Sequence, residues 1–385
     1  MHVVVVGAGI LGASTAYHLA GLGAQVTLVD QAHTGRATAA GAGIVCPWAS
    51  GTDDPVFYRL YVEAARYYAS LIPELADLGE ADIGFRKVGG LVVADDAAEL
   101  RGFVEMLRRR EADTPEMGPV SLLTPRESRE LFPPLRADFA AIHIAGGGRV
   151  DGRRIASALT RAAARRGASL RDGHAELVAT GDNISGVRVA GQIIGADRVV
   201  VTAGAWAPEI LRRHGVALTI EPQRGQIVHL GLPGQDTSTW PVVLPPGSHY
   251  LLAFDDSRVV VGATRESGVG FDNRVTAGGQ AQVLSEALRV APGLADATLI
   301  ETRIGFRPIG PGVRPLLGYV GPAGLLVGNG LGAAGLTIGP FAGSLLADLA
   351  LGVTPAVDLA PFDPARAGGQ AREYGSRPVR AEPLR

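Results

Sequence analysis

The chain has 385 residues, 53 of them glycine, with 46% hydrophobic residues, 19% charged residues and a formal net charge of -2. That is too apolar for a disordered chain, and near-zero charge without a basic stripe argues against nucleic acid as a main partner. The single cysteine, Cys46, permits no internal disulfide, and the scattered histidines show no zinc-type spacing. No metal is therefore expected, and a reducing, cytoplasmic setting is.

Length suggests roughly two domains at about 150 residues each. Residues 3–6 predict a strand, the glycine cluster after them a turn, and 13–22 a helix; 26–29 predict a second strand that ends on Asp30. Residues 1–29 carry no Asp, Glu, Lys or Arg. Gly7, Gly9, Gly12, Gly21 and Gly23 interrupt the run and no basic segment precedes it, so no spanning or signal segment is expected. Helical periodicity returns at 57–78, followed by a short strand at 90–94 and a charged helix at 97–110. Ile155, Leu159 and Ala162 mark another helix, and 169–171, 184–189 and 199–201 read as strands. Strand candidates at 227–230, 250–254 and 259–261, separated by Gly, Pro and Asp turns, predict a second, largely antiparallel sheet. A strand at 325–327, a glycine-rich turn and a helix at 336–351 close the core; beyond Pro364 the arginine-rich, apolar-poor tail is expected to be disordered.

Gly7-Ala8-Gly9-Ile10-Leu11-Gly12 is a GxGxxG between a predicted strand and a predicted helix, with Asp30 closing the next strand. In a dinucleotide-binding unit the first glycine permits the tight turn, the second lets backbone approach the pyrophosphate, and the third lets helix pack on strand. The helix N-terminus then offers amide donors to the phosphates, and the acid accepts from ribose hydroxyls. This fingerprint does not separate NAD from FAD. Small residues recur at 35–44, from Ala203 through Gly204 to Trp206, and at 328–335, as a long, buried flavin cofactor would require.

These blocks, taken in order with Val150-Asp151-Gly152, Arg224-Gly225-Gln226, Tyr250, Gly262-Ala263-Thr264 and Gly305-Phe306-Arg307-Pro308, resemble the FAD-dependent D-amino-acid oxidase superfamily, including glycine oxidases and D-amino-acid dehydrogenases. The resemblance runs from Val3 to about Leu351. It implies an α/β fold: a Rossmann-type FAD-binding domain (1–80, 145–220 and 310–363) and a largely antiparallel-sheet substrate domain (81–144 and 221–309), with 364–385 as tail. It implies non-covalent FAD. Ile10, Leu11, Asp30 and Gln31 would line the adenosine-diphosphate end; Ala37, Thr38, Ala42, Gly43 and Ile44 would run along the flavin, and Arg36 would also bind the cofactor. Ala175 would hold adenine through its backbone, Gly204 and Trp206 would belong to a cofactor segment, and Leu331, Gly332, Ala333, Ala334, Gly335, Leu336 and Thr337 would reach the pyrimidine side of the ring.

The resemblance makes Arg307, in a G-x-R-P element, the anchor of an amino-acid carboxylate, with Tyr250 beside that carboxylate or over the flavin. A guanidinium suits that task because its planar fork binds a carboxylate bidentately. The implied reaction is hydride transfer from the substrate Cα to flavin N5, giving an imino acid that hydrolyses to a 2-keto acid and ammonia, with a D-amino acid as first expectation. Departures from the glycine-oxidase pattern are Ala333 where an arginine is usual, Leu331 where a histidine is frequent, and Gly312-Val313 in place of Asp-Gly, which together predict a more apolar cavity. The region after Arg307 lacks the cysteine of covalent-flavin sarcosine oxidases; Cys46 is read as a packed residue, and Trp48 as a cavity wall or a core residue. A glycine-, sarcosine- or cyclic-amine oxidase, an NAD-dependent dehydrogenase and a non-catalytic flavin-binding protein stay open. So do oxygen or another electron acceptor, and a homo-oligomer.

Overall fold

The structure, a computed structural model, describes residues 1–95 and 97–368. Along the first strand, His2–Val6, Val3 and Val5 enter one apolar cluster while Val4 and Val6 enter another. Both faces are covered, as a parallel sheet requires. The strand lies inside a six-stranded sheet of order Leu316–Tyr319, Leu325–Asn329, Arg198–Val201, His2–Val6, Gln25–Asp30, Ser169–Asp172. Adjoining strands are parallel except for the first pair.

Two helices cross closely over this sheet, Ile10–Gly21 and Gly335–Leu351. A Cβ on Gly339 would lie 2.7 Å from Ile10 Cγ2, and one on Gly343 would lie 2.5 Å from Ser14 Cβ, so glycine sets the approach. Ser14 Oγ donates to the Pro340 carbonyl at 2.6 Å. Pro340 has no N–H, which strips the Leu336 carbonyl of its helical donor. The Tyr68 hydroxyl, from the helix Pro55–Asp77, donates to that carbonyl at 2.5 Å instead. The segment Gly332–Leu351 is long and apolar enough to cross a membrane by length and composition, yet it is mostly buried among these elements.

The second large sheet has eight strands, in the order Thr298–Ile309, Glu221–Gly231, Arg258–Gly262, Tyr250–Phe254, Val242–Leu244, Gly90–Val93, Ala141–Ile144, Val120–Leu123. It is antiparallel apart from the pairing of Val242–Leu244 with Gly90–Val93. Val228 and Leu230 pack with Val283 and Ala287 of the helix Ala277–Val290, whereas Ile227 packs with Ala40 on the opposite face. Alternation here separates two buried faces.

The long strand Thr298–Ile309 joins the two halves. It pairs with Glu221–Gly231 along its length, and near its end Phe306 N donates to the Gly35 carbonyl at 2.9 Å. Gly35 has φ +82°, and a Cβ there would overlap the Phe306 ring. At the C-terminus the expectation of disorder from 364 onward needs correction: Pro364–Gly368 forms a short 3-10 helix, with Pro364 packed against Gly318. The remainder of that tail lies outside the described residues.

Candidate active site

One cavity of about 1680 Å³ runs between the two sheets. Every site residue expected from the sequence lines it except Gly12 and Thr337. Its size exceeds the several hundred Å³ usual for a single small ligand.

At one end the first strand finishes at Gly7, whose φ of +103° turns the chain, and its N–H donates to the Val29 carbonyl at 2.7 Å. Gly9 stands at the N-cap of Ile10–Gly21 with no side chain to offer. Thr38 Oγ1 accepts from Ile10 N at 3.0 Å, which leaves the other amides of that turn for a ligand. Gly12 does not line the cavity. It sits under the turn, where a Cβ would overlap the Gly7 carbonyl and Thr202 Oγ1, so its role is packing. Asp30 accepts from Ala8 N at 3.2 Å and from Arg36 Nη1 at 2.7 Å. Arg36 therefore turns toward the acid at the strand end. Gln31 Oε1 lies 2.8 Å from His174 Nδ1, and His33 stacks on Trp206 with ring centroids 4.4 Å apart.

In the middle, Gly43 has φ +96°, and a Cβ there would overlap the Val150 carbonyl. Asn329, fully enclosed at the end of its strand, donates to the Gly204 carbonyl at 2.9 Å and accepts from Gly330 N at 2.8 Å. It thereby ties together two glycine segments that sequence reading treated separately. The last helix begins at Gly335 without a side-chain cap, so its first-turn amides and positive dipole end face the cavity with Gly332, Ala333 and Ala334. Thr337 is a second correction: its hydroxyl donates to the Ile44 carbonyl at 2.9 Å and it does not reach the lining. Two uncapped helix starts, a chain of small residues and this volume fit FAD laid along the cavity.

At the far end, the Arg307 guanidinium lies across Gly225, and Nη1 donates to the Thr264 carbonyl at 3.1 Å. Among the described residues no carboxylate lies within ion-pair distance of it. Tyr250 lies across Gly262. Burial pushes its hydroxyl pKa up, with the Arg307 and Arg265 guanidinium groups pulling only partly back, so it stays a phenol that can donate. Arg265, His249 and the Arg314–Asp54 ion pair (2.8 Å) also line this end and were not singled out from the sequence. The cavity is therefore less apolar than Ala333 and Leu331 led the sequence to suggest. Burial lowers the His249 pKa, which Glu286 opposes and Arg265 and Arg289 reinforce. Cys46 touches the lining as a buried thiol, its pKa pushed up by burial to about 12, and Trp48 packs in the adjoining apolar cluster rather than walling the cavity.

Residues 2–349 match the DAO family, described as FAD dependent oxidoreductase. The chain is similar to the crystal structure of iminodiacetate oxidase from Chelativorans sp. BNC1, with 55% identity, 94% of this chain and 98% of that one covered, and a TM-score of 0.92. It is similar to glycine oxidase from Geobacillus kaustophilus, with 30% identity, 95% and 99% covered, and a TM-score of 0.83. It is also 48% identical over 366 residues to the uncharacterized oxidoreductase YurR of Bacillus subtilis strain 168, covering 94% of this chain and 98% of that protein.

Proposed function

Because the chain belongs to the DAO family of FAD-dependent oxidoreductases, we propose that it oxidises the C–N bond of a carboxylate-bearing secondary amine, an N-substituted glycine. The observation that carries this reading is Arg307: a guanidinium held in the cavity beside Tyr250 with no carboxylate of the described chain to neutralise it. Likeness to an iminodiacetate oxidase and to a glycine oxidase supports an N-substituted glycine over a bulkier D-amino acid.

Bound FAD would accept the hydride that leaves the substrate carbon, which carries both electrons, while the amine nitrogen gives up a proton. The chain supplies position and electrostatics. Arg307 grips the carboxylate through its planar fork, and its bond to the Thr264 carbonyl fixes the direction of that fork. Tyr250, protonated, donates a further hydrogen bond to the carboxylate. The N-terminus of Gly335–Leu351 turns amide donors and a positive dipole end toward the cavity, where they would stabilise negative charge that develops beside them. Ile44, Leu331 and Leu336 supply apolar wall that limits water beside the reacting carbon. The amine becomes an imine, and water then cleaves it to a carbonyl compound and a primary amine.

Anaerobic bleaching of the flavin absorbance by iminodiacetate, sarcosine, glycine and a panel of D-amino acids tests the reading. Iminodiacetate and sarcosine should bleach it; a flavin that only D-amino acids reduce would sink the proposal. Arg307→Met should lower kcat/KM by about 10- to 1000-fold while FAD stays bound. An unchanged kcat/KM in a yellow protein would remove Arg307 from the site.

A further inference from the structure

We infer that Phe271 latches the port through which FAD is loaded and released, closing the nucleotide end of the cavity by stacking on Trp206. The inference rests on the fit of FAD to the cavity and not on the reading of Arg307, so it stands whichever amine the protein oxidises. At that end the wall is a pile of rings drawn from both halves of the molecule. His33 follows the strand Gln25–Asp30, Trp206 follows Arg198–Val201, and Phe271 lies between Arg258–Gly262 and the helix Ala277–Val290. The Trp206 ring is parallel within 1° to His33 at 4.4 Å and within 13° to Phe271 at 4.9 Å. Two rings so close and so nearly parallel to a third have no room side by side on one of its faces, so Trp206 lies between them. Phe306, which is buried, meets Trp206 at 6.1 Å and Phe271 at 5.3 Å, edge-on to both.

The pile is a wall and not a core. His33 and Trp206 line the cavity beside Asp30 and Gly204, whereas Phe271 is outside the lining and 45% exposed. Cavity therefore lies on one side of the rings and solvent on the other. The segment that carries Phe271 is tied at its two feet. At the first, the backbones of Arg224 and Glu266 exchange two hydrogen bonds of 3.0 Å. At the second, Gln226 Nε2 donates to Thr276 Oγ1 at 2.8 Å and Gln226 Oε1 accepts from Thr276 N at 3.0 Å. The buried Arg224 guanidinium spans the segment, 2.5 Å from Glu266 Oε2 and 3.0 Å from Asp272 Oδ2. Just before Phe271 the chain is open: Gly268 and Gly270 are exposed, and a Cβ on either would meet nothing within 4 Å. The Phe271 ring can thus lift from Trp206 while the ties to Arg224 and Gln226 hold. Trp206 then loses the ring that backs its outer face and swings outward. Elsewhere the nucleotide end is bounded by paired strands, and parting a few ring contacts costs less than parting a run of strand hydrogen bonds.

The test reads cofactor exchange in the holoprotein. Isotope-labelled FAD is bound and then chased with an excess of unlabelled FAD, and the label left on the protein after gel filtration gives the release rate. Phe271→Ala, which removes contacts to both Trp206 and Phe306, should speed release by about 5- to 50-fold. Phe271→Tyr keeps the stack and should stay within about twofold of wild type. Phe271→Leu, a milder loss read on the same scale, covers the case in which Phe271→Ala does not fold. A second readout follows the wall itself. Trp48 and Trp240 are buried, so acrylamide quenching of tryptophan fluorescence reports Trp206, and it should rise in the same variants that lose FAD faster. Release at the wild-type rate in Phe271→Ala or Phe271→Leu, even with a lowered Tm, overturns the latch and leaves Phe271 a structural contact. Release equally fast in Phe271→Tyr does so too, by assigning the effect to a disturbed loop. Faster release with Trp206 no more accessible than in wild type places the exit elsewhere in the cavity wall.

Discussion

A methyl group on Gly225 would meet the Arg307 guanidinium at 2.7 to 2.9 Å, and one on Gly262 would meet the Tyr250 hydroxyl at 2.5 Å. Neither glycine has positive φ, so both are there for the room they leave rather than for a backbone shape. Gly225→Ala should push Arg307 off its bond to the Thr264 carbonyl and raise KM by about 10-fold with FAD content unchanged. A KM within twofold of wild type would mean that the guanidinium works from another pose. Both glycines stand in sequence blocks that carried the family resemblance, yet their purpose was not legible there: Gly225 serves a side chain 82 positions away. Arg307 could be singled out because the G-x-R-P spacing is local. Arg265 could not, since its direction depends on what Arg224 and Gln226 do to the residues on either side of it.

Glycine also blurred the reading of elements. A helix expected from residue 13 starts at Ile10, because Gly12 reads as a breaker but lies in a first turn where the missing Cβ is what lets the turn sit on Gly7. The last helix, by contrast, starts at Gly335 and ends at Leu351, close to the expected 336–351, despite Pro340 within it. Its repair is not local, since the donor for the Leu336 carbonyl arrives from Tyr68, 268 positions earlier. Tyr68→Phe keeps the ring and removes that donor, leaving a buried carbonyl unpaired at a cost of about 1–3 kcal/mol. Thermal unfolding should show the loss as a lower Tm, and FAD should bind more weakly because this turn faces the cavity. A Tm equal to wild type would show that the carbonyl finds another donor. The two-residue strands Ile44–Val45, Arg86–Lys87 and Gly148–Arg149 escaped sequence reading altogether, being too short to show a period.

Across the whole molecule, the junction of the two halves carries buried charge. Arg258 Nη2 lies 3.3 Å from Asp151 Oδ2, and its Nη1 lies 3.0 Å from His229 Nδ1. Burial, then Arg303 and Arg258, push the His229 pKa down to about 3. The unfolded chain, with an ordinary histidine value near 6.5, takes up a proton below that pH which the folded chain refuses. Stability is therefore intact above about pH 6.5 and falls as pH drops below it, by up to about 1.4 kcal/mol per pH unit for this group. Thermal unfolding from pH 7.5 to 5 should show the decline, and His229→Gln should make it shallower, leaving the share of His18, whose pKa burial lowers to about 4. Parallel curves for the two proteins would assign the decline to other groups.

The hydrogen bond from Thr202 to Val6 spans 196 positions and that from Ser14 to Pro340 spans 326. During synthesis the first strand and helix leave the ribosome long before the strand and helix that cover them exist. They must wait, apolar and glycine-rich, for almost the entire chain. Parallel pairing across such separations is slow because loop closure precedes any reward from contact. The nucleotide end of the cavity, first in the sequence, is thus among the last parts of the molecule to be finished, and a fragment that stops before the last helix lacks the helix start that faces the middle of the cavity.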